Sequence, residues 1–85
     1  MTYALPPDVI ATRTEEGMVL LQETTGRFWM LNDSGAAVVE LLKEGTTVPA
    51  IVEELSTRFG EDPEQVAADV RALLDQLGKA RLVTS

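Results

Sequence analysis

Gly26-Arg27-Phe28-Trp29-Met30-Leu31-Asn32-Asp33-Ser34 is the stretch where this chain changes its local rules. Arg27 to Leu31 is a short aromatic and apolar run behind a glycine turn, which reads as a β-strand. Asn32, Asp33 and Ser34 then offer side-chain oxygens to the first free amides of a helix. By alternation Arg27, Trp29 and Leu31 share one strand face and Phe28 and Met30 the other, so both faces are apolar.

Upstream of this switch the strand pattern recurs twice. Met18–Glu23 precedes the turn Thr24-Thr25-Gly26, and Val9–Thr14 precedes the turn Glu15-Glu16-Gly17. Short β-rich runs joined by glycine turns predict antiparallel hairpins, here a three-strand meander whose first and third strands are edges. Pro6 and Pro7 cannot donate to a ladder. Residues 1–8 are therefore expected to be a flexible N-terminal segment, and residues 9–85 a single domain.

Downstream the period changes to that of helices. Val38, Leu41 and Leu42 form a stripe that stops at Gly45. Thr47 caps a second helix, with Pro49 in its first turn and Val48, Ile51, Val52, Leu55 and Phe59 along one side before Gly60. In Asp62-Pro63-Glu64-Gln65 the aspartate is the cap, proline takes the first helical position, and Gln65 completes a capping box. Val66, Val70, Leu73, Leu74 and Leu77 follow at a spacing near 3.6, and Gly78 is expected as the C-terminal stop. Leu82 and Val83 in the tail are expected to fold back onto the core. Three strands followed by three helices make an α+β domain.

Composition narrows the function. Eighty-five residues with 45% hydrophobic and 25% charged content are one ordinary globular domain. Cysteine and histidine are both absent, which removes thiolate chemistry, the commonest general base and the commonest zinc ligand. The acidic pairs Glu15-Glu16, Glu53-Glu54 and Glu61-Asp62 fall in turns or on a polar helix face. No Gly-rich phosphate loop is present. No catalytic, cofactor or metal site is expected, so the chain reads as a non-enzyme. Its net charge is −7 and its seven cations are scattered, which disfavours nucleic acid. Nothing resembles a secretory signal or a membrane span, so a soluble cytoplasmic protein is expected.

The doubly apolar third strand is the feature this composition leaves unexplained. An edge strand normally carries charge, proline or a bulge against unwanted pairing. This one has Arg27 at its start and nothing protective after it. Either helices cover both faces, or the free edge accepts a strand from another chain. The wide stripe of the third helix would then form the other wall of a cleft. Asp69 stands at the rim of that stripe, where it could pair with Arg27 or with a donor on a guest.

In this order and spacing the segments resemble the pyrroloquinoline-quinone-biosynthesis protein D (PqqD) family. The carrying residues are Gly26–Asn32, Gly45-Thr46-Thr47-Val48 with Ile51 and Leu55, and Val66, Asp69-Val70, Leu73-Leu74 and Leu77. The resemblance spans residues 9–83. It implies a winged-helix-turn-helix-like recognition element for ribosomally synthesised, post-translationally modified peptides. A precursor's leader segment would add as a strand beside the third strand, against the third helix. The implied peptide-binding residues are Arg27, Phe28, Trp29 and Met30 on the strand, and Val66, Asp69, Val70, Leu73 and Leu74 on the helix. A free-standing acidic member of this size resembles those of lasso-peptide biosynthesis, which implies a separate leader peptidase and an ATP-dependent macrocyclase as partners. The alternatives are a chaperone of another modified-peptide pathway, a winged-helix DNA-binding regulator, and a structural subunit of an enzyme. Against DNA, Arg71 is the only basic residue of the third helix before Gly78.

Overall fold

The computed structural model describes residues 3–84. Its elements are β1 (Val9–Arg13), β2 (Gly17–Gln22), β3 (Arg27–Asn32), α1 (Asp33–Lys43), α2 (Val48–Phe59) and α3 (Pro63–Lys79). The strands form one antiparallel sheet in the order β1-β2-β3, so β1 and β3 are its edges. This is the α+β order expected from the periodicity.

The register decides which way each peptide group of β3 points. Thr14 and Gly17 exchange both backbone hydrogen bonds, and the Glu23 amide donates to the Asp8 carbonyl. Hydrogen-bonded pairs alternate along an antiparallel ladder. With Ile10 opposite Leu21 and Thr12 opposite Val19, the odd-numbered residues of β2 therefore turn toward β1. The even ones, Met18, Leu20 and Gln22, turn toward β3, where they face Leu31, Trp29 and Arg27. The amides and carbonyls of Phe28 and Met30 consequently point outward along the free edge.

The core lies between the helices and one face of the sheet. Met18 and Leu20 of β2 and Leu31 of β3 are buried against Val38, Val39 and Leu42 of α1. Ile51 and Leu55 of α2 and Val66, Val70, Leu74 and Leu77 of α3 complete it, joined by Leu82 and Val83 of the returning tail. The other sheet face has no helix on it: Phe28 is 71% and Met30 74% exposed, and Ile10 is exposed beside them. The doubly apolar third strand thus has one covered face and one open one. No helix among the described residues is long and apolar enough to cross a membrane.

The helix starts follow the expected chemistry. Asn32 Oδ1 accepts the Gly35 amide at 2.9 Å, and Thr47 Oγ1 accepts that of Ala50 at 3.4 Å. Asp62 Oδ1 accepts the Glu64 amide at 3.3 Å. Two details of α3 differ from the sequence reading. Gln65 closes no capping box; its side-chain amide donates to Asp69 Oδ1 one turn on, at 3.0 Å. Gly78 lies inside the helix, which runs on to Lys79 with Ala80 as its cap. The stop is made by Arg81, held at φ 61°, with Leu82 N–H donating to Leu77 O at 2.8 Å and Arg81 N–H to Gly78 O at 3.0 Å. That pair of bonds is a Schellman motif. Burial of Leu82 against Leu77 carries the helix past its glycine.

Ahead of β1, Ala4 and Thr84 exchange two backbone hydrogen bonds of 2.7 and 2.8 Å. Tyr3 and Leu5 pack against the core. Part of the segment 1–8 therefore has a seat beside the C-terminal tail that its prolines do not announce.

Candidate functional site

The free edge of β3 borders a groove. Its strand side is formed by Trp29, Met30, Leu31 and Asn32, and its helix side by Val66, Asp69, Val70, Ala72, Leu73 and Gln76 of α3. Ser34, Gly35 and Val38 of α1 and Leu55, Phe59 and Glu61 at the end of α2 close it, leaving a volume of about 440 Å³. Trp29 and Gln76 also line a second open hollow of about 620 Å³, further toward the start of β3. There Gln22, Arg27 and Phe28 face Lys79, Ala80 and Leu82. The two hollows together follow the whole length of β3.

The groove exists because α3 packs chiefly on α2 and stands off β3. Trp29 fills part of the gap and is half-buried, whereas Leu31 is buried beneath α1. Asn32 ends the edge and caps α1, so the strand terminates where the helix amides need an acceptor.

Of the residues singled out in the sequence, Trp29, Met30, Val66, Asp69, Val70 and Leu73 meet in the first hollow. Arg27 and Phe28 lie in the second. Leu74 is not in either. It is 4% exposed in the core, and its visible edge lies in a hollow on the opposite flank of α3, with Tyr3, Val48, Pro49 and Arg71. The reason is angular: Leu74 lies four residues after Val70 and three before Leu77, at the centre of the buried stripe, whereas Leu73 lies about 100° from it, on the side of Asp69 and Gln76 that faces the groove. Asp69 pairs with Gln65 rather than with Arg27, which lies at the other end of β3.

α3 carries two adjacent stripes. Val66, Val70, Leu74 and Leu77 are buried and hold the helix in place. Asp69, Ala72, Leu73 and Gln76 form the groove wall beside them. The second stripe has the i, i+3, i+4, i+7 spacing of one helix face. Its polar ends hid it, and Ala72 and Gln76 went unnoticed in the sequence for that reason. Asn32, Phe59, Glu61 and Lys79 were also missed, because they reach the groove through the tertiary fold.

The chemistry available is recognition. One wall presents unpaired peptide groups, the other apolar side chains with charges at the ends. No cluster of three or more potential metal ligands occurs among the described residues.

Comparison with known proteins places the chain in a family and a fold. The family model for coenzyme PQQ synthesis protein D (PqqD) matches residues 17–83. No curated protein matches the chain. Among solved structures, a lasso peptide synthetase B1 complexed with the leader peptide superposes with a TM-score of 0.91 at 26% identity, covering 100% of both chains. TbiB1 in complex with the TbiA(beta) leader peptide gives 0.89 at 26% identity, over 96% of this chain and 95% of that one. The PqqD truncation of Methylobacterium extorquens PqqCD, a stand-alone recognition element for ribosomally synthesised and modified peptides, gives 0.82 at 29% identity, over 98% and 88%.

Proposed function

The chain belongs to the coenzyme PQQ synthesis protein D (PqqD) family, and from that premise we propose that it binds the leader segment of a ribosomally synthesised precursor peptide. The leader adds as a fourth strand on β3, within the groove against α3. The observation that carries this reading is the outward row of peptide groups at Phe28 and Met30, set beside an apolar trough. Two of the similar structures are themselves complexes with leader peptides, which supports it.

The mechanism follows from strand geometry. The amides and carbonyls of Phe28 and Met30 bond to the guest backbone and set its register. Alternate guest side chains then enter the groove beside Trp29, Val66, Val70 and Leu73, while the others lie on the open sheet face beside Phe28 and Met30. Each backbone bond contributes about 0.5–1.5 kcal/mol net. Ordering a disordered peptide costs roughly 2–5 kcal/mol. The ladder alone therefore about offsets the ordering, and buried apolar side chains, worth about 1.5–3 kcal/mol each, supply the surplus and the selectivity. A dissociation constant between about micromolar and tens of nanomolar is expected.

In this role the protein is not an enzyme and changes no covalent bond. It raises the local concentration of the precursor near enzymes that act on it, a leader peptidase and an ATP-dependent macrocyclase of a cytoplasmic lasso-peptide pathway. The test is isothermal titration of the full chain, with no enzyme present, against the synthetic leader of a precursor encoded beside it. Saturable binding at one site, abolished by Met30→Pro, is expected. Absence of binding, or binding indifferent to that substitution, refutes the proposal.

A further inference from the structure

The two ends of the groove carry opposite charge. Glu61 and Asp69 line it where β3 ends at Asn32. Arg27 and Lys79 line it where β3 begins. Among the described residues Glu61, Asp69 and Arg27 have no ion-pair partner, while Lys79 pairs with Asp75 on its own helix at 3.1 Å, both side chains exposed. A cationic end is not what the overall charge of −7 would place there by default. The spans match. Five strand steps from Arg27 to Asn32 cover about 16 Å, and ten helical steps from Asp69 to Lys79 about 15 Å. Both exceed the Debye length of about 8 Å at physiological salt, so the two ends act on a guest separately.

Resting on the strand-guest reading above, we infer that the groove selects charge order as well as apolarity: its guest carries a cationic side chain at the Asn32 end and an anionic one at the Arg27 end, about four or six residues apart so that both point into the groove, around an apolar run. The acidic end is the stronger determinant, because Asp75 already compensates part of the basic one. Apolar burial holds the guest, and the charges reject guests that are misregistered or of the wrong sign.

A random library supplies the guest for the test. Phage-displayed peptides of twelve random residues are panned on the immobilised full chain, with the Met30→Pro chain as counter-selection. Enrichment of apolar runs flanked by Lys or Arg on one side and Asp or Glu on the other is expected. An enriched peptide is then labelled and measured by fluorescence anisotropy. Changing its cation to Glu weakens binding to the wild-type chain about fivefold to tenfold. The Glu61→Lys/Asp69→Lys chain restores it. The reciprocal pairing, an enriched peptide with its acid changed to Lys against the Arg27→Glu chain, gives the same rescue at the other end. Enriched peptides without such a charge pair, or a loss that neither charge swap restores, overturn the charge-order inference alone. Enrichment of nothing, or capture that survives Met30→Pro, removes the strand-guest reading and this inference with it.

Discussion

Trp29 and Met30 are neighbours in the chain, and a proline at each separates binding from folding. The Met30 amide points out along the free edge, so Met30→Pro deletes a donor that only a guest uses. Its melting temperature is expected to stay within a few degrees of wild type, while calorimetric leader binding falls below detection. The Trp29 amide is spent on Leu20 of β2. Trp29→Pro removes that bond and leaves the Leu20 carbonyl unpaired, and is expected to cost about 1–3 kcal/mol of stability, measured by urea unfolding. A second pair makes the same separation on α3. Leu73→Asp places charge on the half-buried groove wall and is expected to weaken leader binding at least tenfold with the fold intact. Leu74→Asp buries a charge in the core and is expected to unfold the chain, seen as lost cooperativity in circular dichroism. The sequence shows two adjacent leucines in one stripe, and only their angle on a docked helix tells them apart.

Element boundaries were legible wherever a side chain closes a local bond. Thr47 and Asp62 each cap the helix that their sequence position announced, and of the three candidates Asn32, Asp33 and Ser34 it is Asn32 that caps α1. The end of α3 was not legible, because its stop is tertiary. Arg81 accepts a left-handed backbone so that Leu82 can bury against Leu77. A non-glycine residue there costs about 1–2 kcal/mol. Arg81→Gly is therefore expected to raise the melting temperature by several degrees in differential scanning calorimetry. The β1–β2 turn behaves oppositely. Gly17 sits at φ 155°, and a Cβ built on it would lie 2.0 Å from the Leu31 carbonyl oxygen. Gly17→Ala must push β3 away from β2 or distort the turn. A loss of at least about 2 kcal/mol is expected by the same calorimetry.

For the molecule as a whole, charge separates recognition of a peptide from recognition of DNA. With a net charge of −7, and Glu61 and Asp69 on the groove beside α3, no shift of duplex DNA is expected in a gel at low salt. What the sequence by itself determined depends on local period and on the bonds that start each helix. That covers three strands before three helices, their N-terminal caps, the edge position of β3 and the apolar character of both its faces. The groove was only half legible. Trp29, Met30, Val66, Asp69, Val70 and Leu73 could be named from pattern together with the family resemblance, whereas Phe59, Glu61, Gln76 and Lys79 could not. The tertiary structure alone decided how far α3 stands from β3, which of Leu73 and Leu74 faces the gap, and which charges lie at its ends. Pattern reports the phase of a residue within its own element, while a groove is set by the distance and rotation between two elements, and those are fixed by core packing across the fold.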